Sequence, residues 1–381
     1  MPVPPIGVDP AGVMSARVGD AGLDRSTWRE LRPRGVAAVR ELQGAAEAGL
    51  VPHLVHSGDA RLGTAVGKLV RAWKGVERLA ILGDSGAVAG AAVLGVPRDT
   101  LLLTDPADAA CADLRGVGLI VLGSAPWVVA CRGPLGAVAA QTWQVDGDGT
   151  AETTPRRKGQ RRLAVSGGAD LRFITASPVA LALATLAGAD TAELVETLHT
   201  VGEATLTRVR ADNPALALAQ LATGLVEGPA RGAPALLVPA GLVSTARHAA
   251  RIWQSFTTRP RPDGGARRLP CGVPLVLARG DEAAAAALLT GPSDLWALQV
   301  VGGGGVANVL DSAWRRALLE AGTPVVQLRG AGNSPARRLA LIAVVTQAAV
   351  LTALHLGLEP LALPGADRLR EVQRAQGLDS P

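Results

Sequence analysis

Short, unbroken apolar runs recur along this chain, each followed by a stretch with helical periodicity. Leu79-Ala80-Ile81-Leu82, Thr100-Leu101-Leu102-Leu103 and Leu119-Ile120-Val121-Leu122 form a first series. Ala235-Leu236-Leu237-Val238, Pro274-Leu275-Val276-Leu277, Leu295 to Val301 and Pro324-Val325-Val326-Gln327 form a second. A strand with one wet face alternates apolar and polar residues, whereas a continuous apolar run needs both faces covered. Runs of this kind alternating with helices predict parallel sheets with helices on both sides. The chain therefore reads as two doubly wound α/β domains. The expected division is an N-terminal extension with helices over 1–74, a first domain over 75–200, and a second domain with C-terminal helices over 201–381.

A length of 381 residues, 48% of them apolar and 19% charged, suits two globular domains. With seven Trp, two Phe and no Tyr, the cores must be filled by Ala, Val, Leu and Gly. Residues 1–20 are rich in Pro and Gly and read as loose chain. Residues 25–74 read as helical, with Ser26 as N-cap. The segment 177–200 reads as helix interrupted near Gly188. Residues 146–168 read as a polar connection.

The most apolar stretch, Leu339 to Leu358, contains Thr346, Gln347, Thr352 and His355. It is expected to be a buried core helix, and no membrane span is expected. The N-terminus lacks the charged and apolar regions of a signal peptide, so a cytoplasmic location is expected. Cys111, Cys131 and Cys271 are widely spaced and form no metal-ligand pattern; buried, reduced thiols are the expectation.

The net charge of +5 is small for this length. Basic clusters at Arg156-Arg157-Lys158 with Arg161 and Arg162, and at Arg259, Arg261, Arg267 and Arg268, read either as solvated loops or as attraction for a small anion. No aromatic platform accompanies them, so a nucleic-acid partner is not expected. His53 and His56 lie close together but have no third ligand nearby, and no metal or cofactor is expected.

In doubly wound sheets, ligands bind at the carboxyl ends of the strands. Those ends carry Gly83-Asp84-Ser85-Gly86, Gly123-Ser124, Arg279-Gly280-Asp281 and Gly302 to Gly305. Small residues there serve either ordinary turns or the approach of a phosphate to backbone N–H groups.

Taken in order, several segments resemble the phosphoglucose isomerase family, proteins with two sugar-isomerase (SIS) domains. Leu354-His355-Leu356-Gly357-Leu358-Glu359-Pro360-Leu361-Ala362-Leu363-Pro364-Gly365 is similar to that family's LGINPFDQPG segment. Gly168 to Thr175, followed by Ala187-Gly188-Ala189-Asp190, resembles its GGRFS…AGVD run. Asn213-Pro214-Ala215 matches NPA, and Leu82-Gly83-Asp84-Ser85 stands where the family has IGxGGS. The matches run over residues 75–375.

The resemblance implies two SIS-type α/β domains, glucose 6-phosphate/fructose 6-phosphate isomerisation, a sugar-phosphate ligand and a homodimer. It places substrate and phosphate contacts at Gly83, Ser85, Ser124 and Thr175. It places Arg172 at the arginine that stabilises the enediolate, with a structural ion pair as the other reading. Counting back from Pro292 by the family's spacing gives Glu282 in the ring-opening slot, where it either shuttles a proton or caps a helix. Counting on from Gly365 gives Arg370 where the family has lysine.

Two elements of the family's chemistry are altered. The phosphate loop SKSGTTxET is replaced by Gly123-Ser124-Ala125-Pro126-Trp127, which keeps one hydroxyl. The glutamate base belongs to an ESxGK segment whose nearest counterpart, Trp253 to Arg259, contains no carboxylate, and the amide of Gln254 has no useful basicity. A catalytically inactive sugar-phosphate-binding, regulatory or scaffold relative is therefore the alternative to an active isomerase.

Overall fold

The computed structural model describes residues 5–47, 61–123, 125–146, 160–164, 171–228, 234–256, 258–260, 266–268, 275–278, 295–302 and 306–357. They divide into two units. A host unit combines residues 5–47 with 200–357, and residues 61–199 form a unit inserted between those two parts of the sequence.

The chain opens with strand β1 (Gly7–Gly12), a single helical turn α1 (Ser15–Val18) and the long helix α2 (Arg25–Glu47). The first of these corrects the reading of residues 1–20 as loose chain. Ser26 lies inside α2 and does not cap it.

The inserted unit contains α3 (Arg61–Trp73), β2 (Arg78–Gly83), α4 (Ser85–Ala92), β3 (Leu101–Leu103), α5 (Pro106–Cys111), β4 (Val117–Leu122), α6 (Pro126–Val138), β5 (Gln141–Asp146), β6 (Gln160–Ala164) and α7 (Pro178–Leu186). Its strands lie in the order β3-β2-β4-β5-β6, all parallel. In chain order this is 2-1-3-4-5, the flavodoxin-like arrangement. Every residue of β4 is buried, as its unbroken apolar run requires. One face of the sheet packs Ala80, Leu82, Leu119 and Val121 against Ala109, Val128 and Leu135 of α5 and α6. Each such large side chain removed from water stabilises the fold by about 2 kcal/mol.

Elsewhere in this unit Trp73 and Trp143 meet edge to face, with centroids 6.0 Å apart and planes at 73°. Gly118 makes room for them, since a Cβ there would lie 2.8 Å from the Trp143 ring. Asp105 caps α5 by accepting from the N–H groups of Ala107 and Asp108 at 2.8 and 2.9 Å. α7 is capped by Ser177 and ends at Gly188, whose φ of 101° is open to glycine. The expected break at Gly188 is therefore present. Cys111 is exposed and Cys131 half-buried, which corrects the expectation of buried thiols at those two positions. Cys271 lies outside the described residues.

Helix α8 (Thr191–Thr205) leads into the rest of the host unit. There follow α9 (Pro214–Glu227), β7 (Pro234–Val238), α10 (Val243–Phe256), the short pair β8 (Thr258–Pro260) and β9 (Ala266–Arg268), β10 (Leu275–Ala278), β11 (Trp296–Val301), α11 (Val306–Glu320), β12 (Val325–Arg329) and α12 (Pro335–His355). The main sheet has the order β1-β12-β11-β7-β10. Its four later strands are mutually parallel and repeat the 2-1-3-4 arrangement. The fifth place is taken by β1, antiparallel to β12. An edge position tolerates Pro10, which has no N–H to donate. Gly12 is required there, because a Cβ would sit 2.4 Å from the carbonyl oxygen of Val325.

Helices α2, α9 and α12 pack together in this unit. All residues of α9 from Pro214 to Val226 are buried. α12 is long and apolar enough to cross a membrane, but 89% of its most apolar window is buried inside the protein. It is a core helix, as its Thr, Gln and His content suggested, and a helix apolar all round needs such surroundings. α2 is tied to the segment after α8 by polar contacts. Gln43 donates to Leu206 O at 2.8 Å and accepts from Arg208 at 2.6 Å. The Arg210 guanidinium lies 3.7 Å from the Trp28 ring centroid, a cation–π contact.

Candidate functional site

A sheet ordered 2-1-3-4-5 reverses direction between its first and third strands, and the crevice outside their carboxyl ends is the usual ligand site. In the inserted unit those strands are β2 and β4. β2 ends at Gly83, then Asp84 stands before α4, which starts at Ser85. β4 ends at Leu122, Gly123 turns with φ 83°, and Pro126 starts α6.

Gly83 is buried between the two strands. A Cβ on it would lie 2.9 Å from both the Cβ and the carbonyl oxygen of Leu122. Close strand packing therefore accounts for this glycine without a ligand. Ser85 is exposed at the first position of α4. Ser124 lies outside the described residues.

Two residues meet across this switch point. The indole Nε1 of Trp127, in the first turn of α6, donates to Asp84 Oδ1 at 3.4 Å. Asp84 is exposed and Trp127 half-buried. Asp84 has the position of an N-cap for α4, yet its side chain makes no capping bond. A carboxylate thus stands at a helix N-terminus, the place a phosphate would otherwise favour. At an effective dielectric of 20, a dianion about 5 Å from a carboxylate is repelled by several kcal/mol. Pro126 removes a further backbone donor from the loop. The arrangement suits a neutral polyol better, because a carboxylate accepts from hydroxyls and an indole face covers apolar C–H surface.

Arg172 and Thr175 belong to a 3-10 turn, Leu171–Ala176, that packs against α4. Thr175 is 2% exposed, and its hydroxyl donates to Gly90 O at 3.0 Å. The bond fastens the turn to α4 about one and a half turns from Ser85. The fold thus brings Gly83, Ser85, Thr175 and the backbone of Arg172 to one helix. Glu282 and Arg370 lie outside the described residues, as do His53 and His56.

In the host unit the corresponding strands are β7 and β11. Here too glycines serve close approach between chain segments. A Cβ on Gly302 would meet Ala331 O at 2.3 Å, and one on Gly241 would meet Asn333 Oδ1 at 2.8 Å. Asn213, of the Asn-Pro-Ala segment, is fully buried. Its Oδ1 accepts from Leu216 N at 2.8 Å, capping α9, and its Nδ2 donates to Thr205 O and Thr207 O, each at 2.8 Å. His248 and His355 are buried in helices, and burial, with nearby arginines adding to it, pushes both down to about 4. Both imidazoles are therefore neutral at pH 7. Among the described residues no group of three or more His, Cys, Asp or Glu is arranged to hold a metal ion.

The pairing of Asp84 with Trp127 was absent from the sequence-based site. Its signal lay in plain sight as an acidic residue in the first glycine turn and a tryptophan after Pro126. What was missing was the strand order that sets the two turns side by side.

Strand order and layers define the class of this protein, a two-domain α/β protein with doubly wound parallel sheets. No family model and no curated protein matches the chain. Among solved structures it is similar to a hypothetical protein from Thermus thermophilus, with a TM-score of 0.78 at 16% identity, covering 98% of this chain and 100% of that one. That likeness extends the fold over the full length. Weaker likenesses include a glucose-6-phosphate isomerase like protein, also from Thermus thermophilus, with a TM-score of 0.46 at 18% identity over 77% of this chain and 86% of that one. The C-terminal domain of glucosamine-fructose-6-phosphate aminotransferase from Francisella tularensis gives 0.49 at 9% identity over 78% and 94%.

Proposed function

We propose that this protein binds a sugar phosphate at the switch point of the inserted unit and is a catalytically reduced relative of the phosphoglucose isomerases. One observation carries the reading. The place of the resembled family's phosphate loop holds Trp127, whose indole meets the Asp84 carboxylate of the neighbouring strand-end turn at 3.4 Å. The ligand lies with its sugar hydroxyls toward Asp84 and its phosphate directed away from α4. The absence of a carboxylate from the Trp253–Arg259 segment supports binding without efficient enediol chemistry.

The competing reading is an active glucose-6-phosphate isomerase in which Arg172, Glu282 and Arg370 take altered roles. It is favoured by the placement of the Arg172 turn against α4. A cytoplasmic homodimer belongs to both readings, and sedimentation as a monomer would count against a site shared between subunits.

The test pairs a coupled assay with a binding measurement. Fructose 6-phosphate is supplied and glucose 6-phosphate detected through its dehydrogenase, with Arg172→Ala as control. Thermal shift and tryptophan fluorescence are then followed on titration with each sugar phosphate, with Trp127→Phe alongside. The expected result is saturable binding whose fluorescence change is lost in Trp127→Phe, and no turnover above the control. Turnover abolished by Arg172→Ala would establish the isomerase reading instead. Absence of binding by any sugar phosphate would remove both.

A further inference from the structure

In the host unit a cavity of about 840 Å³ lies between edge strand β1 with α1 on one side and helix α11 on the other. Its base is polar where a sheet interior is usually apolar. Gln299 of β11 pairs in register with Gln327 of β12, and Gln327 with Asp9 of β1. The same row continues on the other side into Leu237 of β7. Gln327 Nε2 donates to Gln299 Oε1 at 2.9 Å, and Gln299 Nε2 donates to Asp311 O on α11 at 2.9 Å. These three residues are 5%, 2% and 2% exposed. Buried amides are tolerated only when bonded, and a connected row of them is rigid.

Four arginines line this cavity: Arg17 of α1, Arg315 and Arg316 of α11, and Arg329 at the end of β12. Two carboxylates, Asp311 and Glu320, line the same cavity, and a third, that of Asp9, serves two of the arginines. Asp9 Oδ2 accepts from Arg329 Nη2 at 2.6 Å and lies 3.6 Å from Arg315 Nη2. The latter distance is an ion pair without a hydrogen bond. Arg315 Nε is buried and has no hydrogen-bond partner. Arg17 and Arg316 are exposed and make no ion pair among the described residues. Each guanidinium offers five donors in a fixed fork, so the donors here outnumber their acceptors. Arg315 keeps 26% of its side chain exposed where it lines the groove, and a guanidinium fork of this kind holds an oxyanion in bidentate fashion. A neutral ligand could accept from these donors too, but only an anion offsets the surplus of four arginines over the carboxylates of Asp9, Asp311 and Glu320.

We infer that this groove binds a small ligand through a phosphate or carboxylate group, with Arg315 as the central contact and Arg316 and Arg17 as further ion pairs. The site lies wholly in the host unit and is independent of the switch point of the inserted unit.

The experiment is isothermal titration of the full chain with inorganic phosphate and, separately, with citrate, at constant ionic strength. The expected result is saturable binding of at least one of them. Arg315→Gln weakens it at least tenfold and Arg316→Gln several-fold, while Arg98→Gln, an exposed arginine of the inserted unit, leaves it unchanged. Binding of phosphate alone identifies a phosphate ligand, and binding of citrate alone a carboxylate. If Arg315→Gln does not fold, Arg316→Gln decides. The inference is overturned by no saturable binding of either anion, or by undiminished binding in whichever arginine variants fold. Undiminished binding that instead responds to substitution of Asp84 would move the anion to the switch point.

Discussion

Trp127 Nε1 reaches Asp84 Oδ1 at 3.4 Å, joining the first turn of α6 to the N-terminus of α4 across the switch point of the inserted sheet. Neither side chain is fully buried, so each keeps surface for a ligand. If Asp84 holds sugar hydroxyls, Asp84→Ala weakens fructose 6-phosphate binding about tenfold, the usual size of a lost hydrogen bond to a charged group. Titration calorimetry measures it. Tighter binding in Asp84→Ala would reverse the orientation and put the phosphate at α4.

Asn213 shows how a residue singled out by resemblance can be fully employed by the fold. It caps α9 and ties down two carbonyls, one on the last residue of α8 and one just after it, all while completely buried. Asn213→Ala removes the cap and leaves buried acceptors unpaired, so a loss of about 3 kcal/mol is expected. Urea unfolding should show a lower midpoint with an unchanged slope. A loss under about 0.5 kcal/mol, within the range of an ordinary surface change, would show that water replaces these bonds freely.

Two glycines of α2 are expected to respond with opposite sign. Helix propensity alone makes Gly→Ala stabilising by about 1 kcal/mol at either position. Gly44 is exposed, with nothing within 4 Å of a new Cβ, and Gly44→Ala should stabilise by about that amount. At Gly35 the new Cβ would lie 1.9 Å from Gln220 Nε2, which donates to Leu31 O at 3.0 Å. Overpacking and a broken buried bond outweigh propensity there, and Gly35→Ala should destabilise by about 2 kcal/mol. Equal shifts in melting temperature for the two variants would refute the packing argument.

Both series of parallel strands and the buried nature of α12 were legible because they rest on unbroken apolar runs whose length and flanking turn residues separate strand from helix. β1 was not legible. Gly7–Gly12 contains Pro10 and two glycines, and it becomes a strand only because β12 offers an edge that closes over Gly12. β5 was hidden for a related reason. Gln141–Asp146 carries only Trp143 and Val145 as apolar residues, and Thr142 and Gln144 are buried beside β4 despite their polarity. The candidate site was legible in part. Strand-end glycines marked the right turns, but their packing roles at Gly83 and Gly302 and the meeting of Asp84 with Trp127 depend on strand order. No local pattern encodes that order.

Stability should fall in mild acid because of two buried histidines. His355 packs against α9, and its Nδ1 lies 3.1 Å from Thr223 Oγ1. That hydroxyl already donates to Ala219 O at 2.8 Å. It therefore accepts from Nδ1–H, and Nε2 carries the lone pair, with no hydrogen-bond partner. Protonating Nε2 would bury a charge beside Arg34 and Arg210, which together with desolvation holds His355 at about 4. Desolvation and then Arg251 do the same for His248. The unfolded chain takes up these protons near pH 6.5. Each neutral histidine thus contributes stability that is complete above about pH 6.5 and is lost as the pH falls toward 4, on the order of 3 kcal/mol per residue. Between those limits the unfolding free energy should rise with pH at roughly 1.4 kcal/mol per pH unit for each histidine. Urea midpoints taken from pH 7 to pH 4 measure this slope. His355→Gln should reduce the slope by one proton's worth, because the amide does not titrate. An unchanged slope in that variant would show that His355 is protonated in the folded state as readily as in the unfolded chain.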